Sequence, residues 1–337
     1  MNQQNNGQAL LPRRSRRLAT IIPASQWESM GYSIIHAQGM EKLQNDMKKY
    51  CDGNSDTQID LIGKRLRFIV PHHDMLIPHW QKLAIGLIGR KLVKVSIQGI
   101  TLPTPVLDIM FPALHLVSLK KLFLIKARLG NEGLLRLTSF IKDNTSLKTL
   151  YIGGDSIDTS VANSLSDAVT DHPSLNVLFL VKCGLNNAEI LRRLLEACTR
   201  LIHLGIDGEK LGCEAVRILG EFICNNYPLK HLNLTSSKIS DNDALVLASA
   251  LKKNTNLLSL NLKKNDIADE GGKALLKALY DQTSMYTIIE SNHSCVVFTY
   301  DTNESSIAQR PPLETEVSMI NVGDDHSQKR RSGRKWY

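Results

Sequence analysis

The sequence predicts an α/β solenoid, with parallel strands on a concave face and helices on the convex one. Three observations predict it. An aliphatic phrase, L-x-x-L-x-L, returns six times at almost constant spacing. Each copy is followed by a half whose apolar residues take helical spacing. Polar, turn-forming residues then lead into the next copy.

The phrase opens at Leu119, Leu122, Leu124 and returns at Leu147, Leu150, Ile152 and at Leu175, Leu178, Leu180. It continues at Leu201, Leu204, Ile206, at Leu229, Leu232, Leu234 and at Leu257, Leu260, Leu262. The first leucines stand 28, 28, 26, 28 and 28 residues apart. Side chains alternate along a strand, so the second and third aliphatics point into the core and their neighbours point out. In the second halves, Leu137 and Ile141, Leu165 and Val169, Leu247 and Leu251, and Leu275 and Leu279 lie four apart on one helical face. Ser240 with Asp243 reads as a helix start, as does Asp269. The connectors KDNTSL (142–147), TDHPSL (170–175) and KKNTNL (252–257) return the chain to the next strand. No copy can bury its apolar side alone, whereas stacked copies share one core.

A unit such as LLSLNLKKNDIADEGGKALLKAL (257–279) resembles the ribonuclease-inhibitor-like class of leucine-rich repeat. That class is also found in NOD-like receptors and in the Ran GTPase-activating protein. The resemblance covers residues 119–284 and implies a leucine-rich repeat solenoid, or horseshoe, with a helical N-terminal cap. The class places Asn or Cys three residues after the third aliphatic. Cys183 and Asn265 fit, while Ala127, Asp155, Glu209 and Ser237 do not, so an imperfect ladder of side chains is expected at that corner.

The flanks are less regular. Residues 1–24 read as a disordered basic arm. Residues 25–90 read as a helical cap over the raw apolar end of the array. Its first helix, 25–50, would start at Ser25 with Glu28 three residues on. A short apolar stretch, Leu66 to Val70, and a second helix-like run, Trp80 to Ile88, follow, and Leu66 lies 26 residues before Leu92, room for a divergent repeat. The solenoid is assigned to 91–300. Leu92, Val95 and Ile97 form a weak first copy, followed by the proline-containing LPTPVLDIMFP. At the far end, TIIE and CVVFTY flank SNHS as a hairpin closing the array. Residues 301–337 read as a disordered basic tail.

The net charge of +8 is concentrated at the ends. Arg13, Arg14, Arg16 and Arg17, with Lys329, Arg330, Arg331, Arg334 and Lys335, hold nine of the 41 basic residues. That leaves 32 against 33 acidic residues elsewhere, a nearly neutral body ill suited to nucleic acid along its face. The two basic ends read as a nuclear import signal or as phosphate-binding arms. No apolar run approaches the ~18 residues of a membrane span. The six cysteines contain no C-x-x-C pair and read as reduced thiols of a monomeric cytoplasmic or nuclear protein.

The outward strand positions form columns across the sheet. The middle column reads Phe123, Tyr151, Phe179, Gly205, Asn233, Asn261. Ile125, Val177 and Val181 flank the rings, with Lys121, Lys126 and Lys182 at the rim. Aromatics stacked in this way would give an exposed apolar patch, the mark of a binding surface. The expected function is therefore a non-enzymatic scaffold holding a protein partner on the concave face, with no cofactor or metal. His203 and His231, with Asp207 nearby, lack a further metal ligand, and PHHDMLIPH (71–79) reads as a loop. There is no phosphate loop and no nucleophile elbow. Two rival functions remain: a GTPase-activating role implied by the resemblance to the Ran regulator, and a nucleic-acid-tethered scaffold working through the basic ends.

Overall fold

The computed structural model describes residues 20–52, 57–63, 68–281, 283–286 and 291–299. Within them runs one parallel sheet in strict chain order. Its strands are β1 (Gln58–Ile62), β2 (Lys94–Gln98), β3 (Lys121–Ile125), β4 (Thr149–Gly153), β5 (Val177–Val181), β6 (His203–Asp207), β7 (His231–Asn233), β8 (Ser259–Asn261) and β9 (Val296–Phe298). Strands and helices alternate and the sheet does not close on itself, so the fold is an α/β leucine-rich repeat solenoid.

The repeated phrase sets the register. Leu122, Leu150, Leu178, Leu204, Leu232 and Leu260 are partners across successive strands and are buried beneath the helices. The helical halves supply the other side of the core. They are α5 (Gly130–Asp143), α6 (Thr159–Val169), α7 (Ala188–Ala197), α8 (Cys213–Cys224), α9 (Asp241–Lys253) and α10 (Asp269–Leu279). The predicted inward pairs, from Leu137 and Ile141 to Leu275 and Leu279, are all buried there. Three of the helix starts are closed by their own N-cap side chains. Asp158 accepts from the Val161 N–H, Asn187 from Glu189 and Ile190, and Ser240 with Asp243 forms the reciprocal box. The start of α10 is closed from the neighbouring repeat instead, by Asp241 accepting from the Ala268 and Gly271 N–H groups. A Cβ on Gly271 would stand 2.5 Å from Asp241 Oδ1, so glycine is needed there.

The turns that lead from helix to strand are also alike. Asn144 Oδ1 accepts from the Ser146 and Leu147 N–H groups, Asn254 from Asn256 and Leu257, and Asn292 from Ser294 and Cys295. His172 Nδ1 takes the same place before β5. SNHS is thus another inter-repeat turn. The segment after it enters the sheet parallel to β8 rather than as one arm of a hairpin; TIIE lies outside the described residues.

The N-terminal region differs from its expectation in two ways. Its first helix is two: α1 (Ala24–Ser29) and α2 (Ile34–Asp52), broken around Gly31 at φ 91°. Pro23, not Ser25, precedes α1, and the Ala24 N–H is taken by Glu41 Oε2. Second, the sheet begins inside this region. Ile59 and Leu61 of β1 pair with Val95 and Ile97 of β2, so the divergent repeat is carried by QIDLI, whereas Leu66 lies outside the described residues. The outer edge of β1 is closed within the chain. The Tyr50 hydroxyl accepts from the Asp60 N–H and donates to its carbonyl, and Lys42 Nζ donates to the Ile62 carbonyl. Next come α3 (Ile77–Leu87) and α4 (Thr104–His115), which holds the proline-containing segment with Pro112 inside it and Phe111 stacked on Phe140 of α5 at 4.8 Å.

The corner after each strand is sharp. Gly99, Lys126, Gly154, Lys182, Gly208, Ser236 and Lys264 all take positive φ at the same repeat position. The side-chain ladder one residue further on is composite. Asp155 Oδ1 accepts from Leu129 N–H, Glu209 accepts from Cys183 and Leu185 N–H, and Asn265 Oδ1 accepts from Ser237 and Ile239 N–H. Cys183 and Ser237 do the opposite work, donating to the carbonyls of Ile152 and Ile206. Asparagine can serve both kinds of partner; here acids and thiol or hydroxyl groups divide them. The ladder therefore links the turns from Asp155 onward, but with Asp155 Oδ2 buried and without a partner it is imperfect at its first rung.

Candidate partner-binding face

Phe123, Tyr151 and Phe179 are cross-strand partners in one row. They lie on the face opposite the helices, because their neighbours Leu122, Leu124, Leu150, Ile152, Leu178 and Leu180 fill the core. Adjacent parallel strands stand ~4.8 Å apart, so rings in one row must cover one another. The Phe123 and Tyr151 centroids are 6.0 Å apart, and Tyr151 and Phe179 are stacked at 5.5 Å with planes 8° apart.

This mutual cover changes the expected exposure. Phe123 is 7% exposed and Ile125 is 5%, so neither is an open anchor. Phe123 is held between Tyr151 and Lys94, whose Nζ lies 5.5 Å from its centroid. Ile125 leans toward Gly153, where a Cβ would meet its Cγ2 at 3.7 Å. Tyr151, Phe179, Val177 and Val181 are half-buried and form the accessible part of the patch. Lys121 and Lys182 are exposed at the rim, and Lys126 is half-buried.

Gly205 is the residue that sequence reasoning passed over. It follows the three rings in the column, and a Cβ there would stand 2.1 Å from Phe179 Cδ1. The Phe179 ring lies over the glycine and fills the place of the missing side chain. A glycine next to aromatics in one outward column was the available signal.

Beyond Gly205 the face turns polar. The His203 and His231 rings stack at 4.3 Å, and His231 Nδ1 lies 3.1 Å from Ser259 Oγ. Burial, helped by its neighbour His231, lowers His203 to about 4, and burial also lowers His231. Asp207 accepts from Asn233 Nδ2 at 3.0 Å and from the Thr235 N–H at 3.2 Å. Burial still raises it to about 8. Burial and, second, the Asp207 charge push the Tyr151 hydroxyl well above its usual range. The other histidine cluster serves the fold: His73 packs edge-on against Trp27 at 5.3 Å and accepts from the Met75 N–H, while His79 is buried. Among the described residues no helix is long and apolar enough to cross a membrane. The basic residues of both ends, Arg13 to Arg17 and Lys329 to Lys335, lie outside the described residues.

No curated protein matches the sequence. Among solved structures, the chain is similar to one in the crystal structure of the Rad7 and Elc1 complex in yeast, at 14% identity and a TM-score of 0.38. That likeness covers 59% of this chain and 56% of the other. The family model described as Leucine Rich repeat matches residues 225–248 and 253–276. Those two segments hold β7 with the start of α9, and β8 with most of α10. The parallel strand pairing that joins these two units continues through their neighbours, so the matched segments are two turns of one leucine-rich repeat solenoid.

Proposed function

We propose that this protein is a non-enzymatic scaffold that holds a protein partner against the open face of β3–β5. Tyr151, Phe179, Val177 and Val181 form the contact surface. Phe123 and Ile125 of the neighbouring strand flank it, and Lys121, Lys126 and Lys182 border it. The observation that supports this reading is the stacked row of rings on the face away from the helices. A preformed aromatic row loses little freedom on binding and presents the side chains that most often dominate interfaces.

The test compares partners recovered by the wild type and by a Tyr151→Ser, Phe179→Ser double variant, with thermal unfolding as the control for folding. Loss of about 1.4 kcal/mol or more of contact energy lowers affinity at least ~10-fold, so the main partner should disappear from the variant. A folded variant that keeps every partner would refute the proposal.

A further inference from the structure

We infer that the open face of β3–β5 is also the docking site of residues 313–325 of the same chain, so that a partner must displace this segment to bind. The inference rests on reading that face as a partner site. Three observations converge on it.

The first is charge. Residues 301–328 hold six acidic residues against Arg310 alone. The face they would meet is basic. Lys94 and Lys121 occupy outward positions of β2 and β3, and Lys126 and Lys182 follow β3 and β5. The acidic residues at the outward positions of β1–β6 are Asp60, already paired with Lys94 at 2.9 Å, and Asp207.

The second is pattern. Residues 313–325 read LETEVSMINVGDD. In an extended chain Leu313, Val317 and Met319 share one side, and Glu314 and Glu316 the other. Such a segment lays an apolar edge along the rings and turns its carboxylates toward the lysine rim.

The third is reach. Fourteen residues, 299–312, separate Phe298 of β9 from Leu313. Extended, they span up to ~46 Å at roughly 3.3 Å each. From β9 to β4 is five strand spacings, ~24 Å. Pro311 and Pro312 favour an extended approach. Tethering at this length gives an effective concentration on the order of millimolar, so weak contacts suffice.

The experiment places the photo-crosslinker p-benzoylphenylalanine at Tyr151 in the full chain, irradiates at low protein concentration, and maps the products by mass spectrometry. Thr149 is the second position, used if the first variant does not fold. The expected product is an intramolecular link to residues 313–325. Its yield should fall about threefold or more between 0.05 and 1 M salt, where screening shortens to ~3 Å. A comparable fall is expected when Glu314→Lys, Glu316→Lys, Asp324→Lys and Asp325→Lys are combined. Links that map elsewhere, links between two copies, no link from either position, or a yield indifferent to the charge reversal would each overturn the inference. If the link is absent but the Tyr151→Ser, Phe179→Ser variant still loses its partner, only the tail inference falls. If the link forms and that variant keeps every partner, docking of the segment stands and the partner reading falls.

Discussion

The two halves of the open face share a backbone and almost nothing else. On β3–β5 the middle outward row is three rings that cover one another, flanked by Ile125, Val177 and Val181. On β6–β8 they are histidines, asparagines, an aspartate and a serine joined by hydrogen bonds. Beneath both halves the inward leucines are the same. Stacking units fixes what points in and leaves what points out free to vary. The difference teaches that the apolar half is not simply a patch open to water. Crowding on neighbouring strands has already buried Phe123 and Ile125, and only the end of the row remains accessible.

The boundary between the halves is the place where the comparison breaks most easily. Gly205→Val would drive a methyl-bearing Cβ into the Phe179 ring, which is fixed against Tyr151. We expect about 1–3 kcal/mol of lost stability in urea unfolding and weakened partner binding, since the ring must leave the stack. An unchanged midpoint would show that the ring has room to spare.

The polar half should respond to pH while the apolar half does not. His203 is lowered in the fold, so its contribution is full above about 6.5 and is lost as pH falls toward 4. Asp207 works the other way. Its fold raises it to about 8, so its proton is held by the native state and stability falls as pH climbs from about 4 to 8. Asp207→Asn should flatten the decline of the urea midpoint between pH 6.5 and 8, and His203→Gln should flatten the acid limb. A wild-type slope that survives Asp207→Asn unchanged would assign it to other groups.

The smallest effect belongs to Thr235→Val. It removes the 2.6 Å hydrogen bond from Thr235 Oγ1 to Asn233 Oδ1 and leaves the N–H that serves Asp207. A loss of roughly 0.5–1.5 kcal/mol is expected, measured by the same unfolding, with no change in partner binding.

Much of this was legible in the sequence, for a physical reason. The triplet Leu122, Phe123, Leu124 assigns a face to each residue because strand side chains alternate, and its return after 28 residues aligns Tyr151 beside Phe123. Helix starts such as Ser240 with Asp243 are local and were equally plain. What was not legible depends on neighbours far away in the chain. QIDLI lacks the leading leucine and has only two inward aliphatics, so β1 is recognised only once β2 is there to pair with it. Val296–Phe298 has a single inward residue, Val297, and resembled a hairpin arm until Asn292 was seen to repeat the turn made by Asn254. The burial of Phe123 follows from the Tyr151 ring on the adjacent strand and from Lys94, neither near it in sequence. The composite corner ladder was readable in part, since acids at 155 and 209 alternate with Cys183 and Ser237.

That alternation ties each turn of the array to the main chain of the turn before it. Asp155 and Glu209 take hydrogens from the turn before them, while Cys183 and Ser237 give theirs to it. Every one of these partners is a main-chain N–H or carbonyl, which any residue type other than proline supplies, so no rung depends on its neighbour's side chain. Either kind of polar group, acceptor or donor, can therefore fasten a coil of the spiral to the one before it, and the corner tolerates a change of chemistry that the leucines do not.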